Sequence, residues 1–190
     1  MQNNTQVLVS AFRKMYEQLD REHIKETVDD VGIDAFISRC ARYAAMSGAA
    51  SGFGGFTTMI VGVPVDVVNN VFQQFRVTLA VIYSKKGFYK ISFTDFMKVV
   101  GISLGVEAGA TVGKSVLIAI ANKILVRLSA TTAGKAVPFF GAVIGGGTNY
   151  AFIRFIGTAM KGINMDEINL DNREDINEDF EEDLQDPRFT

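Results

Sequence analysis

Residue types that carry out acid–base, nucleophilic or metal chemistry are scarce in this chain. Its 190 residues include one histidine, His23, and one cysteine, Cys40. One chain therefore lacks the ligands of a His/Cys zinc site and cannot form an internal disulfide, which favours a reducing compartment. No Ser/His/Asp triad and no hydrolytic carboxylate pair can be assigned from the spacing. We name no catalytic residue, no metal and no cofactor.

Two glycine motifs resemble nucleotide-binding loops without meeting their requirements. Gly113-Lys114-Ser115 matches the end of a phosphate-binding loop, but Ala108 stands where that loop needs its first glycine. The surroundings also predict helix, whereas such a loop follows a strand. Gly145-Gly146-Gly147 lacks the strand and the glycine spacing of a dinucleotide site. Neither motif predicts a bound nucleotide.

Polar residues recur at helical spacing after Pro64, opposite a side rich in valine and phenylalanine. They are Asp66, Asn69, Asn70, Gln73 and Arg76. Such a pattern predicts a helix whose polar side faces water. The alternative is a polar seam that faces a neighbouring helix or lipid headgroups, with Arg76 as the contact for an anion. Under that alternative Asp66, Asn70 and Arg76 are candidate interaction positions.

Glycines recur every four residues in the sequence GISLGVEAGATVG. They are Gly101, Gly105, Gly109 and Gly113, and Gly141 and Gly145 repeat the spacing. On one helix these positions would form a face without side chains, against which another backbone can pack. Each glycine costs a helix about 1 kcal/mol relative to alanine, so close packing must compensate. The pattern predicts either a membrane helix pair or a tight helical hairpin in a soluble core.

Glu107 lies inside this glycine run, and its nearest charges in sequence are Lys98 and Lys114. A buried carboxylate without a partner is very costly, so this side chain must reach water or a cation. The functional alternative is the handling of an ion or a proton. Glu107 is therefore a candidate interaction position.

Charge and hydropathy bound the classes of protein to which the chain can belong. The formal net charge is −2, and the acidic residues concentrate near the C-terminus. No general basic field is present, so we expect no nucleic-acid partner. The mean hydropathy of +0.18 is high for a globular domain and low for a chain of spanning helices. Arg13 and Lys14 are not followed by an apolar run, so we expect no signal peptide.

Helical periodicity accounts for most of the chain up to residue 162. It predicts helices over 6–28, from 34 onward, and over 64–84, 92–104, 115–129 and 139–160. Asp34 and Ser92 are predicted N-caps, and Gly32 a helix break. We predict an all-α bundle of five to seven helices with glycine-rich close contacts. It comprises an N-terminal amphipathic region, 1–33, and a helical core, 34–162.

Residues 163–190 are predicted to form a disordered acidic tail. Eleven Asp and Glu residues outnumber two Arg there, and such a segment buries too little area to fold alone. Truncation after Gly162 should therefore leave the fold nearly as stable. The alternative is a helix induced by a partner, because Ile176, Phe180 and Leu184 lie four apart. If the tail docks on the body, Lys85, Lys86 and Lys90 are the first candidates to hold it.

Two sequence blocks resemble the EcsC family. They are SGFGGFTTMIVGVPVDVVNNVFQQFRVTLAVIYSKKGF and VPFFGAVIGGGTNYAFIRFIGTAMKG, and the resemblance spans Ala35 to Lys161. Ser84-Lys85-Lys86-Gly87 departs from the family pattern, in which tyrosine and glycine are adjacent. The resemblance implies a largely bacterial family whose namesake is encoded beside an ABC transporter linked to secretion and regulated proteolysis. It supplies no catalytic residues.

The motif positions that the resemblance makes candidates for interaction are Asp66, Asn149 and Tyr150. Helix capping and hydrogen bonding between helices are their structural alternatives. We expect a cytoplasmic, non-enzymatic protein that contacts membrane lipid at the inner face of the cell membrane, or a membrane protein complex such as a transporter. A homo-oligomer that is integral or forms a pore through its glycine faces is the first alternative. A carrier or enzyme with a hydrophobic pocket between helices is the second.

Overall fold

Seven α-helices and no strand occur in the residues that the computed structural model describes, which are 2–46, 65–106, 112–132 and 140–170. The helices are α1 (Gln2–Glu17), α2 (Arg21–Val31), α3 (Ile33–Ala45), α4 (Val65–Lys86), α5 (Phe93–Ser103), α6 (Lys114–Thr132) and α7 (Phe140–Gly162). The predicted all-α bundle is thus confirmed. No helix among these residues is long and apolar enough to cross a membrane.

The N-terminal helices differ from the prediction at two caps. The predicted single helix over 6–28 is two helices, because the Asp20 side chain accepts a hydrogen bond from the His23 N–H at 3.0 Å and starts α2. Gly32, with φ 78°, separates α2 from α3, as predicted. The predicted cap Asp34 is wrong, since Gly32 occupies that position. Asp34 Oδ1 instead lies 2.5 Å from Lys161 Nζ of α7.

α4 is the central helix, and α3 runs antiparallel to both α4 and α7. Contacts from Asp34 to Lys161 and from Ala44 to Asn149 give the direction of α3 against α7. Contacts from Phe36 to Arg76 and from Tyr43 to Asn69 give its direction against α4. The apolar side predicted for α4 is buried: Val68, Val71, Phe72, Phe75, Leu79 and Ile82.

The polar side of α4 is buried too, which corrects the prediction that it faces water. Asn69, Asn70 and Gln73 are at most 8% exposed, and Arg76 is half-buried. Asn69 on this side donates to Tyr43 O of α3 at 3.1 Å, so this side contacts a neighbouring helix rather than solvent. The alternative of a polar seam against a neighbouring helix is therefore the observed one. The side chain of Asp66 lies outside the described residues.

The glycine run does not form one helix face, which corrects the prediction of four glycines in register. α5 ends at Ser103, and Gly105 has φ 69°. The Val106 N–H donates to Gly101 O at 2.9 Å and the Gly105 N–H to Ile102 O at 3.0 Å. These two bonds define a Schellman motif, in which the residue after the cap is left-handed and favours glycine. Gly105 stops the helix instead of packing along it.

The other glycines that were predicted to form packing faces lie in different surroundings. A β-carbon built on Gly101 would lie 3.1 Å from Cδ1 of Ile120, so Gly101 does lie at a close contact between α5 and α6. Gly113 precedes α6 and has no atom within 4 Å of such a carbon. Gly109 and Glu107 lie outside the described residues. The backbone of Gly141 and Gly145 belongs to α7, and their contacts are not among those described.

The first residues of the predicted tail pack on the body, so the boundary at 163 is too early. Met165 and Ile168 are 2% and 8% exposed. Lys85 Nζ donates to Ile163 O at 2.6 Å, and Lys86 Nζ lies 2.8 Å from Asp166 Oδ1. Two apolar anchors and two lysine contacts thus hold the chain after α7 against the end of α4. The rest of the tail, 171–190, lies outside the described residues.

Candidate functional site

The C-terminal end of α3 is held by asparagine side chains from two other helices. Asn69 Nδ2 of α4 donates to Tyr43 O at 3.1 Å, and Asn149 Nδ2 of α7 donates to Ala44 O at 3.3 Å. The last carbonyl groups of a helix lack partners within it, so these amides satisfy groups that would otherwise be unpaired. Asn149, predicted as an interaction or capping position, thus has a structural role. It is 3% exposed.

A chain of polar contacts continues from this cap along α4. Gln73 Nε2 donates to Asn69 Oδ1 at 3.2 Å, and Arg76 Nη1 donates to Gln73 Oε1 at 3.2 Å. The Arg76 guanidinium also lies over the rings of Phe36 and Tyr43, at 5.4 Å and 5.9 Å from their centres. Arg76 therefore makes a hydrogen bond within the protein. It orients the amide side chains of Gln73 and Asn69, which lie between Arg76 and α3.

The outside of this same region carries basic, aromatic and apolar side chains. Tyr43, Met46 and Tyr150 are 50%, 60% and 38% exposed. Arg39 and Arg42 are exposed on successive turns of α3. We call Arg39, Arg42, Tyr43, Met46 and Tyr150 the bundle-end surface. Large exposed apolar groups beside cations are typical of surfaces that bind a membrane or another protein.

The burial and spacing of the side chains show whether the thiol of Cys40, a group of metal ligands or Asn70 could react or bind at the surface. Burial raises the pKa of the Cys40 thiol to about 11, so the protonated and unreactive form dominates at neutral pH. In the described part of the chain, no three His, Cys, Asp or Glu side chains lie together as metal ligands. Asn70, another predicted interaction position, is 1% exposed in the interior. These positions offer no surface chemistry.

Among the glycines whose surroundings the structure describes, Gly157 makes the tightest contact, and no motif in the sequence predicts it. A β-carbon built there would lie 2.7 Å from Cγ2 of Ile37, a distance at which something must move. Gly157 thus lets α7 approach α3 closely. A signal was present, because Gly157 falls between the apolar positions Ile156 and Met160 on the predicted helix. It belongs to no four-residue glycine repeat, so the glycine spacing does not predict it.

The chain has no match among known protein families, curated proteins or solved structures. The resemblance of its two sequence blocks to the EcsC family stays a prediction. What the site itself offers is a helix end capped by two asparagine side chains, an outer surface of cations and apolar groups, and the attachment point of segment 47–64.

Proposed function

We propose that this protein is a non-catalytic helical protein that binds anionic membrane surfaces through the bundle-end surface. It would act there as an accessory factor of a membrane complex such as a transporter. The observation that carries the proposal is the exposure of Arg39 and Arg42 beside Tyr43 and Met46. The chain then continues into an apolar stretch, since the 23 residues 43–65 include no charged side chain.

Charge on the rest of the body supports the same proposal. Residues 1–162 include 17 Lys and Arg against 10 Asp and Glu, a net charge of +7. A basic residue near an anionic leaflet contributes about 1 kcal/mol of binding free energy, and aromatic side chains favour the headgroup region. Arg39, Arg42 and Tyr43 combine both effects within two turns of α3. Electrostatic attraction would bring the body to the leaflet, and the apolar groups would enter it.

The proposed partner and location follow from the same chemistry. Anionic lipids line the cytoplasmic leaflet, and the inner face of the cell membrane is therefore the location that we propose. A lone, buried cysteine is compatible with that reducing compartment. The resemblance to the EcsC family supports association with a transporter. Homo-oligomer formation at the membrane belongs to the same proposal, with Tyr150 and Phe155 as exposed apolar groups of α7.

Flotation of the full chain with vesicles tests the proposal. We expect binding to vesicles with 30% phosphatidylglycerol at low salt and little binding to neutral phosphatidylcholine vesicles. Arg42→Glu reverses one charge on the bundle-end surface and should weaken binding about tenfold or more. Lys14→Glu makes the same change on an exposed position of α1 and should have a smaller effect.

Two results would contradict this proposal. One is an absence of flotation at both low and high salt with a monodisperse protein in buffer, which would leave a soluble adaptor of another protein. The other is an equal loss of binding for Arg42→Glu and Lys14→Glu, because net charge alone would then explain the affinity. The thermal melts of both variants should match that of the wild type, since both side chains are exposed.

A further inference from the structure

The two helices α3 and α7 together carry four cations and one carboxylate. α3 contains Arg39 and Arg42 with one acid, Asp34, and α7 contains Arg154 and Lys161 with no acid. Lys161 Nζ lies 2.5 Å from Asp34 Oδ1 and is the main cause of the lowered pKa of that carboxyl group, to which Arg154 adds a smaller effect. The positive charge of the arginines is therefore not balanced by the acidic residues of these two helices.

A hydrogen bond fixes Arg154 against α3. Arg154 is half-buried, and its Nη1 donates to Ser38 Oγ at 2.7 Å. The Ser38 hydroxyl in turn donates to Asp34 O at 2.8 Å, which fixes the position of its oxygen. A guanidinium has five N–H donors, and the contact with Ser38 uses one of them. Arg154 makes no ion pair with a carboxylate in the described part of the chain, so its other N–H groups can bind an external anion.

Arg42 continues the same row of α3, one turn after Ser38. Residues four apart on a helix are neighbours, with Cβ atoms about 5–6 Å from each other. Arg42 is exposed and makes no ion pair with any residue that the structure describes. Its side chain is long enough to reach an anion that is bound to Arg154 beside Ser38. Two guanidinium groups from different helices can therefore bind one anion.

The register of α3 against α7 brings a third donor to the same place. Hydrogen bonds join the two helices on either side of Arg42, at Ser38 and at Ala44. The α7 partners in these two bonds lie on either side of Tyr150 in the sequence. Tyr150 is 38% exposed, and its hydroxyl is a hydrogen-bond donor. We call Ser38, Arg42, Tyr150 and Arg154 the α3–α7 groove.

The donors of the α3–α7 groove suit a phosphate monoester. Guanidinium groups bind phosphate through paired N–H···O bonds. A phosphate monoester has three strongly accepting oxygens and a charge of about −1.5 to −2 at neutral pH. A phosphate diester has one charge and only two free oxygens. Two arginines and a phenol therefore match the monoester better than the diester.

We propose that Arg42 and Arg154 bind a phosphate monoester in the α3–α7 groove, with the Tyr150 hydroxyl as a further donor. In a membrane this group is the headgroup of phosphatidic acid, and in solution it belongs to a small phosphorylated metabolite. The lipid as its carrier rests on the proposed membrane binding, whereas the phosphate site itself does not. The site adds selection of a headgroup to a surface that otherwise responds to charge alone.

Vesicles with phosphatidic acid or with phosphatidylglycerol, adjusted to equal zeta potential, test the selection. We expect the full chain to bind the phosphatidic acid vesicles about fivefold more tightly or better. Arg154→Lys and Arg42→Lys keep the charge but lose the paired N–H groups, and each should reduce this ratio to about twofold or less. Arg21→Lys is the matched control and should keep the wild-type ratio, because this half-buried arginine lies on α2 over the ring of Tyr16.

The vesicle results separate the monoester site from the proposed membrane function. Equal binding of the wild type to both kinds of vesicle would overturn the site and leave the membrane function intact. A wild-type ratio in both Arg154→Lys and Arg42→Lys would overturn the site as well. Thermal melts of the variants check that the exchange of arginine for lysine leaves the fold unchanged.

Nuclear magnetic resonance of the full chain with sn-glycerol 3-phosphate, at constant ionic strength, identifies the carrier of the phosphate. We expect chemical-shift changes centred on Ser38, Arg42 and Arg154. The same changes in a protein that does not float with any vesicle would support the site, assign it to a soluble phosphate monoester and contradict the proposed membrane function. Changes that spread evenly over exposed lysines such as Lys14 would overturn the site.

Discussion

At the scale of single residues, two adjacent glutamines on α4 are in opposite hydrogen-bonding situations. Gln73 and Gln74 are both fully buried. Gln73 accepts from Arg76 and donates to Asn69. Neither polar atom of the Gln74 amide has a hydrogen-bond partner among the described residues. An unsatisfied buried amide carries its whole desolvation cost, whereas a paired one recovers most of it.

We therefore expect methionine substitutions at these two positions to change stability in opposite directions. Gln74→Met removes the unsatisfied amide with little change in volume and should raise the free energy of unfolding by about 1 kcal/mol or more. Gln73→Met, the matched control, breaks two hydrogen bonds and should lower it by about 1–3 kcal/mol. Urea unfolding of both variants measures the difference. A loss of stability in Gln74→Met would mean that its amide is satisfied.

Gly157 should resist even a methyl group because of its contact with Ile37. Alanine normally gains about 1 kcal/mol over glycine in a helix, but here its β-carbon would clash with a fully packed, β-branched side chain. Gly157→Ala should therefore lower the melting temperature. Gly147→Ala in the same helix has open space and should raise it slightly.

A double-mutant cycle with Ile37→Ala distinguishes the clash from a general effect. Ile37→Ala alone leaves a cavity, which the new methyl group of Gly157→Ala would partly fill. The double variant should thus be more stable than the sum of the two single changes predicts. Strict additivity would show that Gly157 and Ile37 are not coupled, against the short distance between them.

At the scale of elements, the end of α5 shows how one sequence pattern serves a different structural purpose from the one predicted. Gly105 forms the left-handed residue of the Schellman motif. Lys123 Nζ of α6 donates to Gly105 O at 3.0 Å and to Leu104 O at 3.3 Å. The helix stop and the lysine together fix where α6 packs on α5, with Gly101 against Ile120.

We expect substitutions at Gly105 to follow backbone preference rather than side-chain size. Gly105→Ala should lower stability by about 1 kcal/mol, because a left-handed conformation strains residues with a β-carbon. Gly105→Asn should cost less than Gly105→Ala although its side chain is larger, since asparagine tolerates this conformation. Gly147→Ala serves as the control and should not lower stability, because a methyl group there has open space within a helix. Circular-dichroism melts rank the three, and a greater loss for Asn than for Ala would favour steric packing instead.

At the scale of the whole molecule, the segment after α7 closes the bundle against the end of α4. We expect a chain truncated after Leu170 to melt within a few degrees of the full chain. Truncation after Gly162 also removes Met165 and Ile168, whose burial contributes about 1.5–3 kcal/mol each. Its melting temperature should fall by about 5 °C or more. Equal melting temperatures for the two truncations would show that 163–170 contributes no stability.

Acid should weaken the ionic contacts that join distant elements. The hydrogen bond from Lys86 holds the pKa of Asp166 below its ordinary value, and that from Lys161 does the same for Asp34. A carboxylate whose pKa is lowered on folding stabilises the protein above its unfolded pKa of about 3.9, and this contribution is lost as pH falls through the folded pKa. Stability should therefore decline below about pH 4.

Substitution of both aspartates tests this pH dependence. Asp34→Asn/Asp166→Asn should be less stable than the wild type at pH 7 and should lose less stability on acidification from pH 5 to pH 3. Asp30→Asn is the control, because Asp30 is exposed and makes no ion pair with described residues. Urea unfolding at each pH gives the comparison. Parallel pH profiles for the double variant and the wild type would contradict the assigned pKa shifts.

The amino-acid sequence alone determined the fold class and most helices, because their signals are local. Apolar spacing identified the buried side of α4, the Ser92 cap marked the start of α5, and Gly32 marked the break before α3. The resemblance of Asn149 to a motif position drew attention to a residue that caps α3. These features depend on neighbours within a few residues, which the sequence displays directly.

Only the tertiary structure decided which polar and glycine positions matter. A polar side of a helix faces water or protein according to what packs beside it, and the buried amide of Asn69 donates to Tyr43 of α3, which lies 26 residues earlier in the chain. A glycine every four residues is compatible with a packing face and with a helix end. The left-handed backbone of Gly105 ends the helix. Gly157 became important only when Ile37, 120 residues earlier, was placed against it. Each of these outcomes depends on a long-range contact, which local periodicity does not encode.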